Sequence, residues 1–272
     1  MKKYAAFLFL LFFPFFVHMN CSTLQLESTW KERDIALDGK GGDWLGAKYY
    51  FEDSAISVGL INDERYLYVS MMTENPMVRA QIMQQGLTVW LDPKGGKNKT
   101  FGIKYPLGRR GDEQEGETID PQKMMDEEAR EEMMEKFKEA MSELEVLGPA
   151  ERILAKMDIE EAKGIIVKLR DAAGTFVYEL RVPLSSGSEY PYAVGVEAGD
   201  MIGVGFLSPK LEMRRPAGTR GRGPMPGGGM EGPGGPGGMP VMGSMGRFMP
   251  GQLKIWAKVQ LASASMPALS FF

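Results

Sequence analysis

Residues 55–73, AISVGLINDERYLYVSMMT, place two apolar runs on either side of Asn62-Asp63. In an extended chain successive side chains point to opposite faces, so such runs joined by polar turn residues predict a hairpin. The pattern returns in GLTVWLDPKGGKNKTFGIKYPLG (86–108), with residues 93–99 as the turn. It returns again in GIIVKLRD and GTFVYELRVPL (164–184), folded across Ala173-Gly174, where Glu179 and Arg181 alternate with Leu180 and Val182. AGDMIGVGFLS (198–208) and QLKIWAKVQLA (252–262) read as two further strands, and Ile35-Ala36-Leu37 as a short one before the turn residues of LDGKGGDW. NPMVRAQIMQQ (75–85) reads as a short helix or a loop. Hairpin-linked strands with no βαβ alternation predict an all-β, antiparallel immunoglobulin- or jelly-roll-like β-sandwich over residues 35–265.

Two stretches break this pattern. Residues 112–150 contain DPQKMMDEEAREEMMEKFKEAMSELEVL, rich in helix formers, with Pro121 near its start and Met124, Met134, Phe137 and Met141 at roughly helical spacing. An inserted acidic helix with a narrow Met/Phe face is expected there, laid on the sandwich or offered to a protein partner. Residues 214–251, including RGRGPMPGGGMEGPGGPGGMPVMGSMGRFMPG, hold too few large apolar residues to build a core and read as a long disordered Gly/Pro/Met-rich loop. Its methionines are soft ligands of the kind that suit Cu(I), although they follow no regular spacing and no histidine accompanies them.

The beginning of the chain changes the picture most. Lys2 and Lys3 precede an apolar run from Tyr4 to Val17, shorter than the roughly 20 residues a spanning helix needs. A basic start and a short apolar middle predict a secretory leader over residues 1–20. The leader ends at Cys21, the only cysteine, just after His18, the only histidine. A lone cysteine where an apolar leader gives way to polar sequence predicts lipidation of Cys21, with residues 21–34 as a tether. An ordinary leader and a free thiol is the alternative. Ser22 stands where an Asp often marks inner-membrane retention, which points to the outer membrane, facing periplasm or exterior. Cleavage before Cys21 leaves no histidine and no pair of thiols. An internal disulfide, a Cys/His zinc site, and a Ser-His or Cys-His nucleophile are then excluded. Net charge is only −4 and apolar content 43%, so nothing marks nucleic-acid binding and a proper core is available.

Taken in order, DIALDGKGGDW, VGLINDERYLYVSM, LTVWLDPKGGKNKTFGIKYP, TFVYELRVPL, GDMIGVGF and KIWAKVQLA resemble the motifs of carbohydrate-binding module family 9-like (CBM9-like) domains, which are related to DOMON domains. The resemblance covers most of the mature chain apart from the two inserts. It implies a jelly-roll-like sandwich that binds a sugar, or haem in the DOMON branch, and the missing histidine disfavours haem. For a sugar, aromatic faces are the natural platform. Trp44, Trp90 and Trp256 lie in the matching segments and are the candidate ligand-binding residues. The flanks of Trp44 and Trp256 favour core packing, whereas Trp90, beside the Asp92-Pro93 turn, is balanced between core and site. Calcium is the one possible cofactor, at Asp63 or Asp92, but turns use Asp for their own hydrogen bonds. No pair of carboxylates, Glu179 and Glu197 included, can be placed at glycosidase separation, so no enzyme is expected. The function expected is non-catalytic binding of a carbohydrate or related small ligand by a lipid-anchored envelope protein. The alternative is an envelope interaction or structural lipoprotein acting through the acidic helix and the Met/Gly-rich loop.

Overall fold

A computed structural model of the protein describes residues 24–108, 135, 138, 140–210 and 252–264. The strands are β1 (Leu24–Glu27), β2 (Thr29–Trp30), β3 (Lys48–Phe51), β4 (Ile56–Asn62), β5 (Tyr66–Thr73), β6 (Thr88–Asp92), β7 (Phe101–Lys104), β8 (Glu143–Leu147), β9 (Ile153–Asp158), β10 (Ile166–Ala172), β11 (Thr175–Pro183), β12 (Met201–Ser208) and β13 (Leu253–Gln260), with one helix, α1 (Pro76–Gln85). They form two sheets. One runs β1-β13-β12-β6-β7-β8-β9; the other runs β10-β11-β5-β4-β2, with β3 also pairing with β4. Inward side chains of both, among them Val58, Val69, Leu91, Ile103, Val146, Tyr178, Leu180 and Val204, form one buried core. The protein is an all-β sandwich.

Each expected hairpin is present. Asn62 and Tyr66 flank the β4–β5 turn, where Asp63 Oδ1 accepts from the Arg65 and Tyr66 amides at 2.8 Å each. NPMVRAQIMQQ is helical because Asn75 caps it, accepting from the Met77 amide at 2.9 Å, while Pro76 fits the first turn.

Three expectations are corrected. Ile35–Leu37 is not a strand; Ile35 and Leu37 pack instead against a small cluster on the outside of the second sheet. Residues 143–147, placed in the acidic insert, are strand β8, paired antiparallel with β7 and β9. Leu144 and Val146 reach the core from alternate positions, and that burial outweighs the helix preference of the preceding segment, which is still helical at residues 140–142. Residues 24–30, placed in the tether, are β1 and β2. β1 lies parallel to β13 and β2 parallel to β4, so this stretch joins both sheets.

Between β1 and β2 sits a buried polar knot. Asn62, fully buried, donates from Nδ2 to the Ala262 carbonyl at 2.9 Å and accepts at Oδ1 from the Ala262 amide at 2.9 Å. Ser28 Oγ donates to the same Oδ1, and the Ser28 amide donates to the Gln260 carbonyl at 3.0 Å. One asparagine thus ties together the first strands, the β4–β5 hairpin and the end of β13. Apart from residues 135, 138 and 140–142, the expected helix lies outside the described residues, as do the Met/Gly-rich loop and Cys21.

Candidate functional site

Each tryptophan named from the sequence lies against a glycine of a strand, where the missing Cβ lets a ring approach the backbone. They differ in what covers the other side.

Trp44 stands in a short 3-10 turn, Gly42–Trp44, on the outer face of the second sheet. A Cβ on Gly59 would come within 2.6 Å of its ring. Its Nε1–H donates to Glu179 Oε1 at 2.9 Å, and the Gly39 amide donates to Glu179 Oε2 at 2.7 Å. Trp44 and Glu179 are both 0% exposed. The DGKGGDW segment is therefore a clasp: Trp44 fills the glycine gap and a buried carboxylate holds ring and loop together. Ala47, Ile61, Tyr66, Tyr68, Met72 and Val177 complete this small outer cluster.

Trp90 and Trp256 share the outer face of the other sheet. Register puts Trp256 opposite Gly205, Gly205 opposite Trp90, and Trp90 opposite Gly102. A Cβ on Gly102 would stand 2.8 to 3.0 Å from three ring atoms of Trp90, and one on Gly205 would stand 2.6 to 2.8 Å from three ring atoms of Trp256. Such near-equal distances mean that each indole lies flat on its glycine. Trp90 is 2% exposed, packed with Leu147 and Leu207 and with the Lys99 ammonium 5.7 Å from its ring centre. Trp256 packs against that cluster and is only half-buried.

As ligand-binding candidates Trp44 and Trp90 are set aside; Trp44 takes the core position its flanks favoured, whereas the core position favoured for Trp256 is corrected. Stacking on a sugar requires an open ring face, and neither Trp44 nor Trp90 has one. Trp256, the ring whose apolar neighbours Ile255 and Ala257 favoured a core position, points to the face opposite theirs. The signal lay in the alternation of LKIWAKVQ, which sets Lys254, Trp256 and Lys258 on one side and Leu253, Ile255, Ala257 and Val259 on the other. The seating glycines, Gly102 and Gly205, were not singled out from the sequence.

The two aspartates considered for calcium serve their own turns. Asp92 is 0% exposed and accepts from the Lys94 amide at 3.1 Å, the Asn98 amide and Asn98 Nδ2 at 2.9 Å each, and Thr100 Oγ1 at 3.4 Å. Burial pushes its carboxyl up, but the Asn98 and Lys94 amides and the side chains of Asn98 and Thr100 outweigh this and hold it below the ordinary carboxylate value. Asp63 accepts, besides the two amides above, the Tyr68 hydroxyl at 3.0 Å. Among the described residues there is no group of three or more His, Cys, Asp or Glu arranged to hold a metal ion. Glu197 belongs to a turn closed by Asp200, and Glu179 to the Trp44 clasp.

A further aromatic group, Tyr66, Tyr68 and Tyr190, sits on the second sheet. The Arg181 guanidinium lies 4.4 Å from the Tyr66 ring centre, and Tyr66 is 6% exposed, so this ring is capped as well. The Tyr66 hydroxyl donates to that of Tyr190 at 2.7 Å, a contact that leads the causes pushing the Tyr190 hydroxyl up to about 12.

No protein-family model and no curated protein matches the chain. Among solved structures it is similar to a carbohydrate binding module family 9 (CBM9) from Caldicellulosiruptor kristjanssonii in complex with glucose, at 9% identity and a TM-score of 0.42, over 90% of this chain and 100% of that one. It is likewise similar to such a module from the same organism in complex with cellotriose, at 10% identity and a TM-score of 0.41, over 91% of this chain and 98% of that one.

Proposed function

We propose that the protein is an exported, lipid-anchored, non-catalytic binding protein that takes a carbohydrate on the outer face of its seven-stranded sheet, with Trp256 as the stacking platform. One observation carries this: the Trp256 indole lies flat on Gly205 and, unlike Trp44 and Trp90, is not enclosed. A flat ring fixed from below offers its upper face to the C–H side of a pyranose without first having to be ordered. Trp90, two strands across and itself seated on Gly102, belongs to the cluster that packs beside it.

Binding without catalysis agrees with the carboxylates. Glu179, Asp92 and Asp63 all have their oxygens engaged by the fold, which leaves none of the three as acid or nucleophile. The anchor is Cys21, at the end of the leader-like segment and three positions before β1 begins at Leu24. The outer membrane is the proposed site.

The test is calorimetric titration of the full chain in detergent with neutral and acidic oligosaccharides, beside Trp256→Ala. Saturable binding that the substitution abolishes, while Trp44→Phe leaves it in place, is expected. Binding that survives loss of the Trp256 ring, or silence across both classes of glycan, overturns the proposal.

A further inference from the structure

We infer that the saccharide taken by this face is an anionic one, bearing carboxylate, sulfate or phosphate groups, with Lys254 and Lys258 flanking the stacked ring; this deepens the carbohydrate proposal and rests on it.

Alternation along β13 puts Lys254 and Lys258 on the same face as Trp256, two residues before and after it, so their Cα atoms stand about 6.5–7 Å to either side along the strand. Both side chains are long enough to reach substituents at the two sides of a pyranose stacked on the ring between them. Lys254 is exposed and Lys258 half-buried, and neither forms an ion pair among the described residues. The Lys258 side chain passes over the turn after β6, where a Cβ on Gly95 would come within 3.3 Å of its Cε. Gln25 lies opposite Lys258 on β1 and adds an amide along one border, whereas the Gln260 amide that follows on β13 is engaged by the Gly199 and Leu261 carbonyls.

Carboxylates on this face are occupied or displaced, save Glu27 on β1. Asp92 is buried in its turn; Glu151 is paired with Lys99, and Glu145 lies beside Lys104, across the sheet. Glu27 is opposite Gln260, one pair beyond Lys258 on the same side. A chain of net charge −4 thus sets two cations, without an ion pair among the described residues, around its open tryptophan. A neutral sugar would offer them only hydroxyl acceptors; an anionic one would give each an ionic hydrogen bond.

The experiment titrates the full chain in detergent with an oligogalacturonate and with the same oligosaccharide after reduction of its carboxyl groups, repeating both with Lys254→Met/Lys258→Met, Trp256→Ala and inorganic polyphosphate as a competitor. The expected result is about tenfold tighter binding of the acidic form, as two favourable surface ion pairs would give, lost in the double lysine variant. Equal affinity for both forms, unmoved by the lysine substitutions, overturns this inference and leaves the carbohydrate proposal standing. Binding of neither form overturns both. Binding of the acidic form that survives Trp256→Ala, or that polyphosphate displaces equally well, marks a plain polyanion surface and overturns it too.

Discussion

Replacing Glu179 with Gln probes how the DGKGGDW segment is held on the sandwich. The side chain keeps its volume, but one of its two oxygens becomes an NH2. Both oxygens face donors, the Gly39 amide at 2.7 Å and Trp44 Nε1–H at 2.9 Å, so in either orientation one donor meets another. A hydrogen bond to a charged acceptor is lost and a buried N–H is left unpaired, a cost of about 3 kcal/mol. Trp44→Phe removes the donor from the other side and leaves Oε1 without it, costing about 2–3 kcal/mol with the lost indole packing. The two changes break the same bond. Together they should therefore cost less than their sum, by about 1–2 kcal/mol. Urea unfolding followed by far-UV circular dichroism measures all four proteins, with the slope of the transition checked for constancy. Strict additivity would refute the clasp, as would a Glu179→Gln protein within about 0.5 kcal/mol of the parent, the range of an uninvolved surface site.

Two further outcomes are expected. The Asp92 carboxyl lies below its ordinary value in the folded protein, so its contribution is complete above the unfolded value near 4 and fades as pH falls through the folded one. Acid titration of stability should accordingly be shallower below pH 4 in Asp92→Asn than in the parent, and parallel curves would show that the turn does not depend on the charge. At the N-terminus, the parent should incorporate radiolabelled fatty acid when expressed in a bacterial host and Cys21→Ser should not; label retained by the serine variant would place the anchor elsewhere.

Much of the sandwich was legible because runs of apolar, β-branched and aromatic residues between turn residues read as strands. β4, β5, β11 and β12 sustain such runs over seven to nine positions each, buried almost throughout and long enough to stand out. β8 has only five residues, behind an acidic segment of strong helix formers, and what turns it into a strand is pairing with β7 and β9 rather than local preference. β1 has four residues, and its partner β13 lies more than two hundred positions away, a pairing no local pattern announces. The site was half legible for a similar reason. The three candidate tryptophans could be named from the sequence, but their exposure depends on cover supplied from a distance. Leu147 and Leu207 enclose Trp90, and Glu179 with Gly59 encloses Trp44. Trp256 was set among the core candidates because its immediate neighbours are apolar, although in a strand those neighbours face the other way.

The parallel pairing of β1 with β13 has a mechanical side. A force applied between the amino terminus and a ligand seated on Trp256 would pass from β13 directly into β1 through their shared backbone hydrogen bonds, without crossing the rest of either sheet. The register sets Leu24 opposite Ala257, so both pulling points lie at the same end of the ladder, and its bonds open one after another from that end instead of being loaded together in shear. Next to that ladder, Asn62 and Ser28 lock the end of β13 to the start of the chain. A load on a tethered molecule would thus peel β1 from β13 toward the Asn62–Ser28 knot at the far end of the ladder, and the clasp over the second sheet would carry none of it.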